Sequence, residues 1–378
     1  MSITLLLENH FASLPDPRVK RTRRHLLSDI LTLVVCATFC GAEGWEDIEQ
    51  WALLKKDFLI SRLGLTLPGG IPSDDTFRRV ISRLDPTSFQ NCFIAWVQSL
   101  QNQLQQVISL DGKFLKGSGY EADSQSPIVM VSAWAAQSRL VLGQIKTDVK
   151  SNEITAVPLL LALLEIEGSV VITDALNTQK EIVKQIRKQK ADYLLPVKGN
   201  HPGLHEAISL CFDYAQEHKW EDIPHQFHTE TQIDHGRTVT RSCWQIDLDT
   251  RLNLWSDKQK EWQDLSSIVK LVRDRQVGEK VTQETCYYIS SLSGCAKQIM
   301  KTAQQHWGIE NKLHWILDVV FKEDACLIHK DHAPQNLATV RHIVLNLIRE
   351  KKIDKISLRR KIKMAGWDDD FLFQLLQN

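Results

Sequence analysis

Neither sign of charge is in excess in this 378-residue chain, where 46 Lys and Arg balance 46 Asp and Glu. A uniformly basic surface is therefore excluded, and any affinity for a polyanion has to come from local clusters of phosphate-binding side chains. No apolar run is long enough to cross a bilayer. The longest, residues 30–42, is interrupted by Thr32, Thr38, Cys36 and Cys40. No basic segment followed by an apolar one and a cleavage site opens the chain, so the expected location is the cytoplasm, at the nucleoid. Cysteine pairs at metal spacing are also missing. The eight cysteines include no Cys-x-x-Cys and no histidine at finger spacing, which leaves reduced core residues as the expectation rather than disulfides or zinc ligands.

What is present reads as a globular protein with uneven charge. An apolar fraction of 43% with 24% charged residues excludes a disordered or fibrous chain. Residues 18–25 (RVKRTRRH) and 349–363 (REKKIDKISLRRKIK) are basic, offset elsewhere by acidic stretches such as Asp368, Asp369 and Asp370. Arg18, Lys20, Arg21, Arg23 and Arg24 are the expected phosphate contacts, although such runs serve as often as solvated faces. The first hundred residues read as helices, with an apolar run at 26–40, an amphipathic stretch at 42–61 and a loop at 64–70. Ser73 is a natural N-cap for a further helix whose inner face is Phe77, Val80, Ile81 and Leu84. Arg78, Arg79 and Arg83 fall on its outer face. Docking on double-stranded DNA in the manner of a helix-turn-helix and a packing or dimerisation role suit this module equally.

From Val107 the period changes from helical to alternating. Residues 107–116, 127–136 and 140–147 predict an antiparallel meander, followed by a helix (157–167), a strand (169–174), a helix (178–190) and a strand (192–198). Three strands followed by alternating helix and strand is the ribonuclease-H-like order, an α/β fold with a mixed sheet flanked by helices. In that order the first and fourth strands are neighbours. Each ends in an aspartate, Asp111 after Val107-Ile108-Ser109-Leu110 and Asp174 after Val170-Val171-Ile172-Thr173, so the two carboxylates are expected side by side. Like charges that close raise each other's pKa, and a divalent cation resolves the conflict. Oxygen ligands with room for water and phosphate favour Mg²⁺ or Mn²⁺, two ions in a phosphoryl-transfer site.

About 135 residues then separate Asp174 from the next helix-borne acid, more than a connection needs, and they read as an inserted β-rich subdomain. Helical order returns at Cys295. There Ile309, Leu313, Ile316 and Val320 define a buried stripe, with Glu310 a quarter turn from its centre and Asp318 on the far side. Glu310 is the expected third acid, and Glu323 with Asp324 the fallback. A zinc-protease reading of His306, Glu310 and His314 fails because the two histidines stand eight apart instead of four. The expected division is a helical domain (1–103), the first part of the core (104–202), the insertion (203–285), the core's completion (286–352) and a basic tail (353–378).

The runs FASLPDPRVKRTRRH, GAEGWEDIEQW, IPSDDTFRRV, LDGKFLKGS, QIKTDVKSNEITAVP, ITDALNTQKEI, DYLLPVKGNH, DHGRTVTR and HWGIENKLHWILDVVFKEDAC together resemble the H-repeat-associated transposases. These form the ISAs-type branch of bacterial insertion-sequence DDE enzymes. The resemblance spans nearly the whole chain. It implies a ribonuclease-H-like core with an inserted β domain and, by position, Asp111, Asp174 and Glu310 as catalytic, metal-holding acids. The chain departs from the family at Phe114, usually threonine, at Asp74, usually histidine, and at Val239, usually acidic. Ala303, His306 and Leu317 stand where the wider superfamily has tyrosine, arginine and lysine.

The function expected from this is metal-dependent cutting of double-stranded DNA at element ends and strand transfer into a target. Lys198, Asn200, His235, Arg237 and Arg241 are further expected DNA contacts. A homodimer on DNA is expected, held by the N-terminal module and the helix 335–352, whose Leu337, Val340, Val344 and Ile348 form a stripe that serves equally to pack on its own core. The rival readings are a catalytically inactive, transposase-derived DNA-binding protein, which shows no Mn²⁺-dependent nicking, and a structure-specific nuclease, which cuts without sequence dependence.

Overall fold

The computed structural model describes residues 3–100, 106–120, 126–147, 153–221, 223–234, 236–248, 256–351, 353 and 355–377. The N-terminal part consists of α1 (Ile3–Phe11), α2 (Leu27–Phe39), α3 (Trp45–Leu54), α4 (Lys56–Ser61), α5 (Asp74–Arg83) and α6 (Pro86–Leu100). Helix α2 is apolar all round because it is buried all round, from Asp29 to Phe39. The amphipathic stretch at 42–61 is two helices, broken at Lys55. Pro86, which stops α5, opens α6, where its missing N–H would lack an intrahelical partner anyway.

Nine strands follow: β1 (Val107–Leu115), β2 (Ile128–Ala135), β3 (Leu140–Lys146), β4 (Val170–Ile172), β5 (Asp192–Val197), β6 (His225–Asp234), β7 (Arg237–Asp247), β8 (Ser267–Val277) and β9 (Lys280–Ser290). They form one sheet in the order β3-β2-β1-β4-β5-β9-β8-β7-β6. Among the described residues only the β1–β4 and β4–β5 pairs are parallel. Such pairs require crossovers, and α7 (Glu153–Ala162) and α8 (Lys180–Lys188) lie between the strands concerned. The meander and the adjacency of the first and fourth strands are as the alternation predicted.

The segment read as a β-rich insertion contributes α9 (Pro202–Glu217), β6, β7, α10 (Ser256–Glu261), β8 and β9. Its strands continue the central sheet, because β9 pairs with β5 from Leu194–Ser290 to Val197–Tyr287. The expected boundary at residue 285 therefore falls inside β9.

Helix α11 (Ala296–Ile309) runs through a π-helical turn at Glu310–His314 into α12 (Trp315–Val319). Next comes α13 (Ala333–Glu350), which packs against α2, α5, α6 and β3 and, Gln335 apart, is buried from Ala333 to Ile348. Its stripe of Leu337, Val340, Val344 and Ile348 faces this chain's own core, so it is not available as the expected assembly face. Asn346, inside the same helix, closes the outer edge of β3. Its Oδ1 accepts from Val141 N and its Nδ2 donates to Val141 O, both at 2.9 Å.

The stretch read as a basic tail folds into α14 (Leu358–Trp367) and α15 (Asp369–Leu376). Its acids anchor it, Asp369 to Lys55 at 2.5 Å and Asp370 to Arg62 at 2.9 Å. All eight cysteines are free, and no helix among the described residues is long and apolar enough to cross a membrane.

Candidate active site

Strand register brings the two aspartates together. Ser109 of β1 lies opposite Ile172 of β4. Two residues further along the chain stand Asp111, still within β1, and Asp174, just past the end of β4, and both line the same cleft. Asp174 then caps a short turn, accepting from Asn177 N at 3.2 Å and from Asn177 Nδ2 at 2.7 Å. Glu310 arrives from the end of α11, whose Gly308 lies flat on the sheet. A Cβ there would come within 2.8 Å of the Trp134 ring. Asp111, Asp174 and Glu310 line one cleft of about 240 Å³ together with Lys198, Glu284, His306 and Trp307.

A fourth carboxylate, overlooked in the sequence, completes the group. Glu153, in the first turn of α7, takes the space over Gly112: a Cβ on that glycine would lie 2.0 Å from Glu153 Oε1. The amide of Asn177, fully buried, donates to Glu153 Oε2 at 3.3 Å as well as to Asp174. Burial, then the charges of Glu153, Asp174 and Glu310, push Asp111 up to about 7, against one opposing hydrogen bond from Gly112 N. Glu153 is raised too, by burial and by Asp174, with the Asn177 amide offsetting part. The signal for Glu153 was an acid at a helix start in the segment SNEITAVP. Nothing in the local pattern says where that helix end lands.

Two histidines flank the acids. His314 Nδ1 stands 3.5 Å from Asp111 Oδ2, and burial followed by the charge of Lys113 pushes its pKa down to about 4. His306 is pushed down to about 4 chiefly by burial. Both rings are therefore neutral near pH 7. Neither His306 Nδ1 nor His314 Nε2 has a hydrogen-bond partner among the described residues.

The fallback acids are engaged elsewhere. Lys113, only 9% exposed, pairs with Asp318 at 2.7 Å, Glu323 at 3.1 Å and Asp324 at 2.9 Å. Arg341 adds to Glu323 at 3.3 Å, and Lys116 to Asp324 at 2.7 Å. Asp318, expected on the far side of the helix, reaches this network because the π-helical turn shifts the phase of everything after it. Within the turn Leu313 and His314 are buried, and beyond it Leu317 is buried while Ile316 and Val320 are only half-buried.

The expected DNA contacts divide into several groups. Lys198 lines the cleft. Asn200 is exposed, and its Nδ2 donates to Ala175 O at 2.6 Å, so it ties the chain after β5 to the loop after Asp174. Arg237 is exposed at the start of β7, 3.9 Å from Asp234. Arg241 donates to Gln232 at 3.1 Å and lines a second, smaller pocket beside the cleft with Arg273, whose guanidinium lies 4.7 Å from the centre of the Trp307 ring. His235 lies outside the described residues. Arg18, Arg21, Arg24 and Arg79 line a separate groove in the N-terminal part, with Lys20, Arg23 and Arg78 exposed nearby.

Among the described residues no three His, Cys, Asp or Glu side chains stand as a finished metal cage. The donor set nevertheless suits a hard cation. Four carboxylates converge, their donor atoms are all oxygen, and among the described residues no lysine or arginine pairs with any of them.

Residues 102–347 match the family of the transposase DDE domain, and residues 8–97 match the DDE_Tnp_1-associated domain. The chain belongs to the DDE transposase family. It is similar to the "H repeat-associated putative transposase YhhI" of Escherichia coli (strain K12), 38% identical over all of this chain and 98% of that one. It is also similar to the "H repeat-associated putative transposase YbfD" of the same strain, 40% identical over 64% of this chain and 93% of that one. A piggyBac transposase, solved as a synaptic complex with hairpin DNA, is a distant structural neighbour at 12% identity and a TM-score of 0.43, covering 100% of this chain and 78% of that one.

Proposed function

We propose that this chain cuts double-stranded DNA at the ends of an insertion sequence and transfers the freed 3′-hydroxyl to target DNA, with both steps in the cleft of Asp111, Asp174 and Glu310. The observation that carries this reading is the convergence of Asp111, Asp174 and Glu310 on one cleft, with Glu153 close behind and Asp111 pushed up to about 7. Structural acids are held apart or paired; these are neither. The order β3-β2-β1-β4-β5, antiparallel on one side of β1 and parallel on the other, supports a ribonuclease-H-like core.

In this reading Asp111, Asp174 and Glu310 would hold two Mg²⁺ or Mn²⁺ ions, which would supply activation of a water or 3′-hydroxyl and stabilisation of the leaving oxygen. The remaining roles belong to the chain's own groups. Asn177 fixes the Asp174 and Glu153 carboxylates relative to one another, and Asn200 braces the loop that follows Asp174. Neutral His314 supports Asp111 without neutralising it. Lys198, which lines the same cleft, offers a charge to a bound phosphate. Cutting two ends and joining both to one target needs two clefts, so the working species is a homodimer on DNA, assembled through faces other than α13. Its place of work is chromosomal DNA in the cytoplasm.

The test is Asp111→Asn against wild type on a plasmid carrying the element ends, with Mn²⁺ or Mg²⁺. Wild type should nick and the variant should not, while both bind. Equal cleavage by the variant would overturn the site. Binding without nicking by wild type would favour the inactive, DNA-binding rival.

A further inference from the structure

The two basic segments of the N-terminal part, separated by some fifty residues of sequence, meet across a groove of about 730 Å³. One wall is the segment 17–25 with Arg18, Arg21 and Arg24, and the other is helix α5 with Arg79 and Arg83. Among the described residues no carboxylate lines it. The arginines do different jobs. Arg18 is a brace: its Nε and Nη2 donate to Asp16 at 3.0 and 2.8 Å, and Nη2 also donates to His25 O at 2.9 Å. Arg23 braces in turn, donating to Arg18 O from Nε at 3.0 Å and Nη2 at 2.8 Å. Arg78 and Arg79 share Asp75 on their own helix, Arg79 at 2.8 Å.

The wall is anchored as well as braced. His25 Nδ1 lies 3.2 Å from Gly70 O, and the backbone approaches so closely that a Cβ on Gly69 would sit 2.6 Å from Arg24 O. That leaves Arg21, Arg24 and Arg83 exposed, without an ion pair among the described residues, and facing a space already shaped. A rigid groove that presents unpaired guanidiniums from both walls, in a chain of zero net charge, is built for a polyanion with regularly spaced charges.

We propose that this groove seats the phosphate backbone of duplex DNA, away from the four carboxylates, with Arg21, Arg24 and Arg83 as the phosphate ligands and Arg18 and Arg23 as internal braces. The choice of DNA over another polyanion rests on the functional reading above. The groove itself does not.

The test is salt-dependent binding of a duplex of arbitrary sequence to the full chain, in chelator and without divalent metal, so that a failure of the cleavage chemistry leaves the result untouched. Changing Arg21, Arg24 and Arg83 together to Gln should lower the slope of log K against log salt by about 2.7, three phosphates at about 0.9 each. The same three positions changed to Lys should keep the wild-type slope. Bound duplex should also shield these three arginines from an arginine-directed dicarbonyl reagent, while Arg18 is unmodified with or without DNA. An unchanged slope in the Gln variant, or equal modification of the three with and without duplex, would overturn the proposal.

Discussion

Gly112 and Glu153 occupy each other's space: the Cβ that any other residue would place at 112 falls 2.0 Å from a carboxylate oxygen of Glu153. The glycine is required by a side chain, not by its backbone angles. The obstacle is the end of a flexible chain, so Gly112→Ala should fold and push Glu153 aside. We expect a thermal midpoint corresponding to a change of less than about 1 kcal/mol, and a fall in metal-dependent nicking of about tenfold or more as the acids lose their arrangement. A midpoint and a nicking rate measured on the same preparation separate the two effects.

Asn177 is the shared donor for Asp174 and Glu153 and has no exposure of its own. Asn177→Ala strips two carboxylates of a buried partner. The cost should be about 1–3 kcal/mol in urea unfolding, with a loss of nicking that Asn177→Ala shares with Glu153→Ala instead of adding to it.

The pH dependence of stability should carry the mark of Asp111. Its folded pKa, about 7, lies above the ordinary 3.8, so the stability it contributes is fully present below pH 4 and lost as pH rises to 7. His306 and His314, both pushed down to about 4, act in the opposite sense, losing stability as pH falls from 6.5 toward 4. The difference between wild type and Asp111→Asn isolates the first effect. In chelator, wild type should lose ground to the variant steadily from pH 4 to 7, and added Mn²⁺ should restore wild type alone. Parallel profiles would contradict the raised value.

Lys113 is the hub of a nearly buried ion network that includes Asp318, Glu323 and Asp324. Lys113→Met leaves Glu323 with Arg341 as its remaining ion-pair partner and should cost on the order of 3–5 kcal/mol, read by urea unfolding. The Lys116→Met change, at a side chain 75% exposed, should leave the urea midpoint close to wild type.

How much of this the chain declares in advance depends on how local the cause is. Val107 to Asp111 and Val170 to Asp174 each carry an apolar run and the aspartate after it within five residues, although β1 continues past Asp111 to Leu115 and β4 stops short of Asp174, and parallel pairing of β1 with β4 follows from element order. The placement of Glu153 does not follow, because it depends on where a helix lands beyond a connecting loop. Nor does the continuation of the sheet into β6–β9. Alternation gives a strand its faces but not its partner, and β9 found β5. In α13 the polar residues Asn336, Thr339 and Asn346 are buried, and each meets a specific partner, such as Ile81 O or Val141, that the sequence does not name. The arginines of 18–25 read as one cluster of like charges. Two of them turn out to hold the others in place.

The π-helical turn at Glu310–His314 makes one helix answer to two partners. Before the turn, its register aims Glu310 into the cleft. After it, the register turns Leu317 to the core and Asp318 to Lys113. One surplus residue separates the two alignments. Excising a residue from 310–314 would therefore not be a small local edit: it would rotate everything downstream by about 100° relative to what precedes it, so that the carboxylate and the buried hub could no longer both be reached. The wide turn is the joint that lets the third acid be positioned without dragging the fold's ionic anchor out of alignment.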